Sequence, residues 1–238
     1  MCRTRVWLLV LLVVASPVFA SVDPPVKTSA KEGLQALNDL IGSWRGTGEP
    51  AQGTREEKQR GFWVESISWE WQFKGDDVFL KASFENSKHF TRGELRYLPE
   101  KETYRLTLIT PMKETVTFEG ALSNKRLVLE RTEEKTNETQ RLTFNLLHDN
   151  RHLYRYEVKA AGRTSFTPLY QVGATKEGGA FASGDGKPEC VISGGLGTIK
   201  VEYKGKSYYV CCSGCRDAFK DEPERYIKEY EARKAKPK

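Results

Sequence analysis

The stretch SWEWQFKGDDVFLKASFE, residues 68–85, decides the fold. Trp69, Trp71 and Phe73 fall on one side of a period of two, and Glu70 and Gln72 fall on the other. After the turn signal Lys74-Gly75-Asp76-Asp77 the alternation resumes with Val78, Leu80, Ala82 and Phe84. An extended chain points successive side chains to opposite faces, so each half reads as a strand with one apolar face and the pair as a hairpin.

The same alternation runs outward from Ser43 to Val172. Inward positions downstream are Leu95 and Tyr97, then Tyr104, Leu106 and Leu108, then Val116 and Phe118, then Leu127 and Leu129. Leu142, Phe144 and Leu146 follow, then Tyr154, Tyr156 and Val158, and last Phe166 and Tyr170. Turn signals at Pro99–Glu102, Ser123-Asn124, His148–Asn150 and Ala161-Gly162 recur at hairpin spacing. The expected fold class is therefore mainly β: an antiparallel meander of about ten strands that closes into a barrel, because closure removes exposed edges. Ser29 to Leu40 carries leucines at 34, 37 and 40, a helical spacing that predicts a short helix plugging or covering one end.

The first strand reads LIGSWRGTGEP, with Gly42, Trp44, Gly46 and Gly48 at alternate positions. Here the chain resembles the lipocalin-like superfamily, and more closely the nitrobindin-like barrels, whose first strand carries G-x-W-x-G. The resemblance spans residues 34–173 as a strand count and about eight residues as a motif, so it bears on fold more than on function. Inward glycines let a strand bend and another group approach closely. Because nitrobindin-like barrels hold haem through a histidine, the resemblance also implies a ligand site. His89, His148 and His152 lie in inward phase near strand ends, where they would line a mouth for haem or a small hydrophobic ligand. The preferred reading makes them hydrogen-bonded rim residues, since the nitrobindin ligand lies close to the end of its domain and no histidine follows His152. Trp44, Trp63, Trp69 and Trp71 are read as core. Glu65 shares a face with Trp63, Ile67 and Trp69, so it sits at a rim or is a buried carboxylate that needs partners.

Ahead of the barrel, MCRTRVWLLVLLVVASPVFA has two arginines, an apolar run from Val6 to Val14, and Val18 and Ala20 where a signal peptidase reads. Residues 1–20 are expected to be a secretory signal, placing the mature protein in a secreted or periplasmic compartment. No cysteine follows the cleavage point to receive a lipid, and no later run approaches the ~20 apolar residues of a membrane span. Loss of Arg3 and Arg5 lowers the formal charge from +6 to +4, with the surplus largely in the tail from Arg233, which argues against a nucleic-acid partner. No catalytic motif of the G-x-S-x-G, H-E-x-x-H or phosphate-loop kind is present, and the expectation is a non-enzymatic protein. Asn137-Glu138-Thr139 is a glycosylation sequon by pattern alone.

The domain reading is a barrel over 29–173, a Gly/Ala/Ser-rich flexible linker over 174–188, and a cysteine module over 189–233. In the module, Thr198 to Tyr203 and Ser207 to Val210 alternate around Gly205 as a hairpin that delivers Cys211 at its end. Ser213 or Asp217 is expected to cap a helix whose first turn carries Cys215, and Asp221-Glu222-Pro223 to break and restart it. Ligands at a strand end and on a first helical turn lie close together, and the helix start lowers thiol pKa. Cys190, Cys211, Cys212 and Cys215 are thus candidate metal ligands, because soft thiolates gathered at one point bind soft or borderline metals. Three thiolates suit trigonal Cu(I); four, with Cys212, suit tetrahedral Zn(II). The competing reading is a disulfide framework, with Cys190 joined to Cys211 or Cys212 and Cys215 taking the other.

Tyr203, Gly205 and Tyr208 in the hairpin, Cys190 and the Cys211/Cys215 pair, Phe219, and the run Asp221–Tyr226 together resemble the TRASH and YHS families of small treble-clef-like metal modules. Val191 and Ile192 replace the Gly-Met that often follows the first cysteine, and Cys212 stands where YHS members usually have serine. The resemblance implies binding, trafficking or sensing of copper or another heavy metal. The alternative is a barrel-based carrier with the module as a structural zinc or disulfide clip.

Overall fold

The computed structural model describes residues 28–75, 77–148, 150–177 and 188–235. The expected signal and most of the expected linker lie outside the described residues. A helix α1 (Ala30–Gln35) and a 3-10 turn (Asn38–Leu40) lead into β1 (Gly42–Pro50). A second helix, α2 (Arg55–Gly61), joins it to β2 (Trp63–Lys74). The meander continues through β3 (Asp77–Glu85), β4 (Arg92–Leu98), β5 (Thr103–Ile109), β6 (Thr115–Ser123) and β7 (Arg126–Glu133). It ends with β8 (Glu138–His148), β9 (Arg151–Lys159) and β10 (Thr167–Lys176). The C-terminal module holds β11 (Ile199–Tyr203), β12 (Lys206–Val210), α3 (Ser213–Asp221) and α4 (Pro223–Ala235).

The ten strands close as a barrel, each paired antiparallel with its neighbour and β1 bonded to both β2 and β10. Inward alternation fills it: Trp44, Trp69, Trp71, Leu95, Leu106, Phe118, Leu129 and Tyr154 are all buried. The β1 glycines make room for β2. A Cβ at Gly48 would come within 2.1 Å of the Trp63 indole, and one at Gly46 within 2.9 Å of Glu65 Cγ. Gly46 and Gly48 are therefore explained by side chains of the next strand occupying the space, whereas Gly42 takes a φ of 120° that favours glycine.

One expected inward position and the start of the expected linker differ. Phe166 precedes β10 and packs outside beneath the Arg141 guanidinium, 3.4 Å from its ring, because the register shifts between Pro168 and Tyr170. Ala174, Thr175 and Lys176 belong to β10 rather than to the linker. The expected Ser29–Leu40 helix is shorter than its leucine spacing implies. Ser29 caps α1 through a reciprocal bond with Glu32, and the 3-10 turn then brings the Leu40 carbonyl to the Trp44 indole N–H at 2.7 Å. Leu34, Leu37 and Leu40 are nonetheless fully buried and close that end of the barrel.

The module docks on the same end. The N-terminus of α3 sits against β2 so closely that a Cβ on Gly214 would lie 1.7 Å from the Trp71 carbonyl oxygen. Ser213 donates to Glu70 at 2.8 Å, Tyr226 meets Phe73 edge-on, and Lys31 pairs with Glu229 at 2.8 Å. The hydrophobic core runs without a break from the barrel leucines to Val191, Ile192, Val210 and Phe219. No helix among the described residues is long and apolar enough to cross a membrane. Gly214→Ala should push the module off the barrel end and lower stability by about 1–3 kcal/mol, the usual cost of overpacking, measured by urea unfolding.

Candidate metal centre

Three chain segments converge at the junction. Cys190 opens a tight loop whose amide donates to the Gly195 carbonyl at 2.7 Å, and the loop is anchored to the module hairpin by Val191 N–H on the Tyr209 carbonyl at 2.9 Å. Cys211 follows the last residue of β12, after the tight turn in which Lys204 and Gly205 both take positive φ. Cys215 lies on the first turn of α3. The Cys190, Cys211 and Cys215 sulfurs all lie within 4.8 Å of one another. Cys190 and Cys215 are fully buried and Cys211 is partly exposed.

Cys212 does not join that group. It occupies the N-cap position of α3, where the sequence points to Ser213 or Asp217, and Ser213 is free to bond Glu70 instead. Its sulfur lies 3.8 Å from Cys211 Sγ. Among the described residues all four cysteines are free thiols; Cys211 and Cys215 sulfurs stand 3.5 Å apart, well beyond the ~2.05 Å of a disulfide.

Hydrogen bonds divide the charge among the thiols. Those from Cys211, Cys215 and Ser193 hold the Cys190 thiol well below its usual range, and Cys211 does the same for Cys212. Cys211 is pushed up by the sulfurs of Cys190 and Cys212. Cys215 is also pushed up, by burial first and then by its neighbours, so the lowering expected at a helix start is outweighed. A buried group of thiols thus shares few negative charges, and a bound cation reverses that balance by favouring thiolate at each ligand. Zn–S bonds of ~2.3 Å set sulfurs of one tetrahedral site roughly 3.8 Å apart, so this donor set fits a thiolate-bound metal. Cys211, Cys212, Ser213, Glu70 and Lys176 line a groove of about 420 Å³ between barrel and module.

His89 and His152 do not come together at the mouth that their phase implied. His89, in the β3–β4 loop, stacks on Tyr170 at 3.8 Å and meets Trp63 edge-on. His152 sits toward the opposite, capped end, paired in register with Leu146 and Ala174, with its ring 4.4 Å from Trp44. His148 closes β8, and its side chain lies outside the described residues. Alternation assigns a face, whereas only register assigns an end, so His89 and His152 share no common site for a haem. His89 is a stacked loop residue, and His152 lacks the rim hydrogen bond expected of it: neither of its ring nitrogens has a partner among the described residues. Glu65 is a buried carboxylate that accepts from the Trp63 indole at 2.9 Å and the Tyr154 hydroxyl at 2.6 Å.

His152 carries a pH signature. Burial, then the Lys176 charge, pushes its pKa down from 6.5 to about 3. Between those values the unfolded chain binds more protons, so stability from this residue is present above pH 6.5 and is lost as pH falls toward 3. His152→Leu should flatten the drop in urea midpoint between pH ~7 and ~4.5; an unchanged drop would show the ring to be solvated.

Comparison with known proteins adds a family assignment for one segment. Residues 197–230 match the YHS domain, a stretch that includes Cys211, Cys212 and Cys215 and leaves Cys190 just upstream. No curated protein matches the chain. A solved structure described as "Structure of EF1p2_mFAP2b bound to DFHBI" is similar over 60% of this chain and 98% of its own, at 10% identity and a TM-score of 0.26. The barrel itself is established by strand pairing.

Proposed function

We propose that this protein captures and hands on a soft or borderline metal cation, with Cys190, Cys211 and Cys215 as ligands. The observation that carries the reading is the convergence of three thiols from three segments, two of them inside a YHS domain. The partly exposed Cys211 on the groove favours an exchanging site over a sealed structural one. An incoming cation would meet Cys211 first. Cys190 and Cys215 would then replace the ligands that delivered it, with Cys211 and Cys215, the thiols that still carry protons, releasing them to solvent or to a departing ligand.

Cu(I) is the favoured cargo because three thiolates complete its trigonal coordination. Zn(II) requires a fourth donor, for which the nearest candidate is Cys212, its sulfur 3.8 Å from Cys211 Sγ but outside the mutual set of three. Export through residues 1–20 and action in a secreted or periplasmic compartment belong to this proposal. A second reading, the barrel as carrier of a small ligand, rests on the unpartnered nitrogens of His152. A copurifying molecule lost on His152→Leu would support it.

Protein purified under reducing, chelator-free conditions should contain about one metal ion per chain by elemental analysis. The Cys211→Ser, Cys215→Ser variant should lose that ion with its far-UV circular dichroism unchanged, whereas Cys212→Ser should keep it. Metal-free protein with no titratable thiols would replace this function with a disulfide clip.

A further inference from the structure

The loop that carries Cys190 is held from two sides. From the module, Arg233 in α4 donates to the carbonyls of Cys190 and Val191 at 3.3 and 3.2 Å, while its Nε pairs with Glu189 at 3.0 Å. From the barrel, Gln35 Nε2 and Asn38 Nδ2 both donate to the Ser193 carbonyl, at 3.0 and 2.9 Å. Ser193 is fully buried, and it faces the thiols with its other polar groups. Its amide donates to Cys190 Sγ at 3.4 Å, and its hydroxyl lies 3.4 Å from Cys211 Sγ.

Donors fixed on a thiolate sulfur stabilise its charged form and set its direction, so partners one bond removed from a ligand affect metal affinity. A loop ordered before the metal arrives also loses less freedom when it binds. Asn38 is itself oriented by a second bond, since its Oδ1 accepts from the Trp71 indole N–H at 3.2 Å. Trp71 is fully buried in β2, so the donor end of Asn38 is directed at Ser193 by the barrel wall.

Resting on the reading of the three thiols as a metal site, we propose that Gln35 and Asn38 are positioning residues for it. They hold the Ser193 peptide, and through it the Cys190 and Cys211 sulfurs, in the arrangement that receives the ion. The metal affinity of the C-terminal module is then partly a property of the barrel's capping segment.

Asn38→Asp separates this role from a structural one, because it keeps an oxygen for the Trp71 indole but puts a carboxylate against the Ser193 carbonyl. The probe is Cd(II), titrated into the full mature chain against a competing chelator and followed by thiolate-to-cadmium absorption, with the Trp71 indole N–H read by NMR. Asn38→Asp should weaken Cd(II) affinity several-fold, up to the ~10-fold that loss of a partner bonded directly to a ligand costs at the low end, with absorption at saturation and the Trp71 resonance retained. Gln35→Ala, which leaves Asn38 and Trp71 in place, should weaken it several-fold, and it decides the matter if Asn38→Asp does not fold. Folded variants with wild-type affinity would overturn the inference alone. A wild-type chain that takes up neither Cd(II) nor Cu(I) would overturn the metal-site reading and this inference with it.

Discussion

The capped end of the barrel is where the structure is decided, and Asn38 is the residue through which its parts meet. One side-chain amide accepts from the Trp71 indole of β2 and donates to the Ser193 carbonyl of the cysteine loop. Both partners are buried, and buried polar groups left unpaired are costly, so neither the barrel wall nor the loop can move without loss at the other. Burial of the α1 and 3-10 leucines brings Asn38 to this place, and the Trp44 indole on the Leu40 carbonyl fixes where that segment ends. A long tether would ordinarily leave barrel and module free to reorient. The shared core and the seat of Gly214 on the Trp71 carbonyl instead make one body of them.

The thiols gain from this arrangement. A three-thiol site in a module of this size has little core of its own to hold its loops. Here Val191, Ile192 and Phe219 continue the barrel's core, and the cysteine loop is clamped by Arg233 on one side and by Gln35 and Asn38 on the other. All three thiol groups are buried, and Cys211, a partly exposed residue, also lines the groove, which would give an ion held there both shielding and the path that the proposed exchange needs.

Much of this was legible residue by residue. The period of two located the strands, and their number made closure the economical outcome. The hairpin around Gly205 and the helix beginning near Cys215 brought two thiols together through local geometry. Other features had a signal that went unused: Thr54 and Glu57 form a capping box for α2, a helix the alternating pattern gave no reason to seek. Phe166 lies outside because a register shift in β10 breaks the period of two ahead of Tyr170. Glu65 could be recognised as a carboxylate in need of partners, but the Tyr154 hydroxyl reaches it from a strand 89 positions away.

By itself, the amino-acid sequence determined most of the side chains that face the barrel interior and the approach of Cys211 to Cys215, because both follow from repeats of two and from turns a few residues long. It could not determine at which end of the barrel the module would sit, that His89 and His152 would lie apart, or that Cys212 would start a helix instead of joining its neighbours. Nor could it bring Asn38 to Ser193, 155 positions along the chain. Those outcomes depend on shape and on the pairing of buried polar groups across distant segments, which only the closed barrel and the docked module bring within reach.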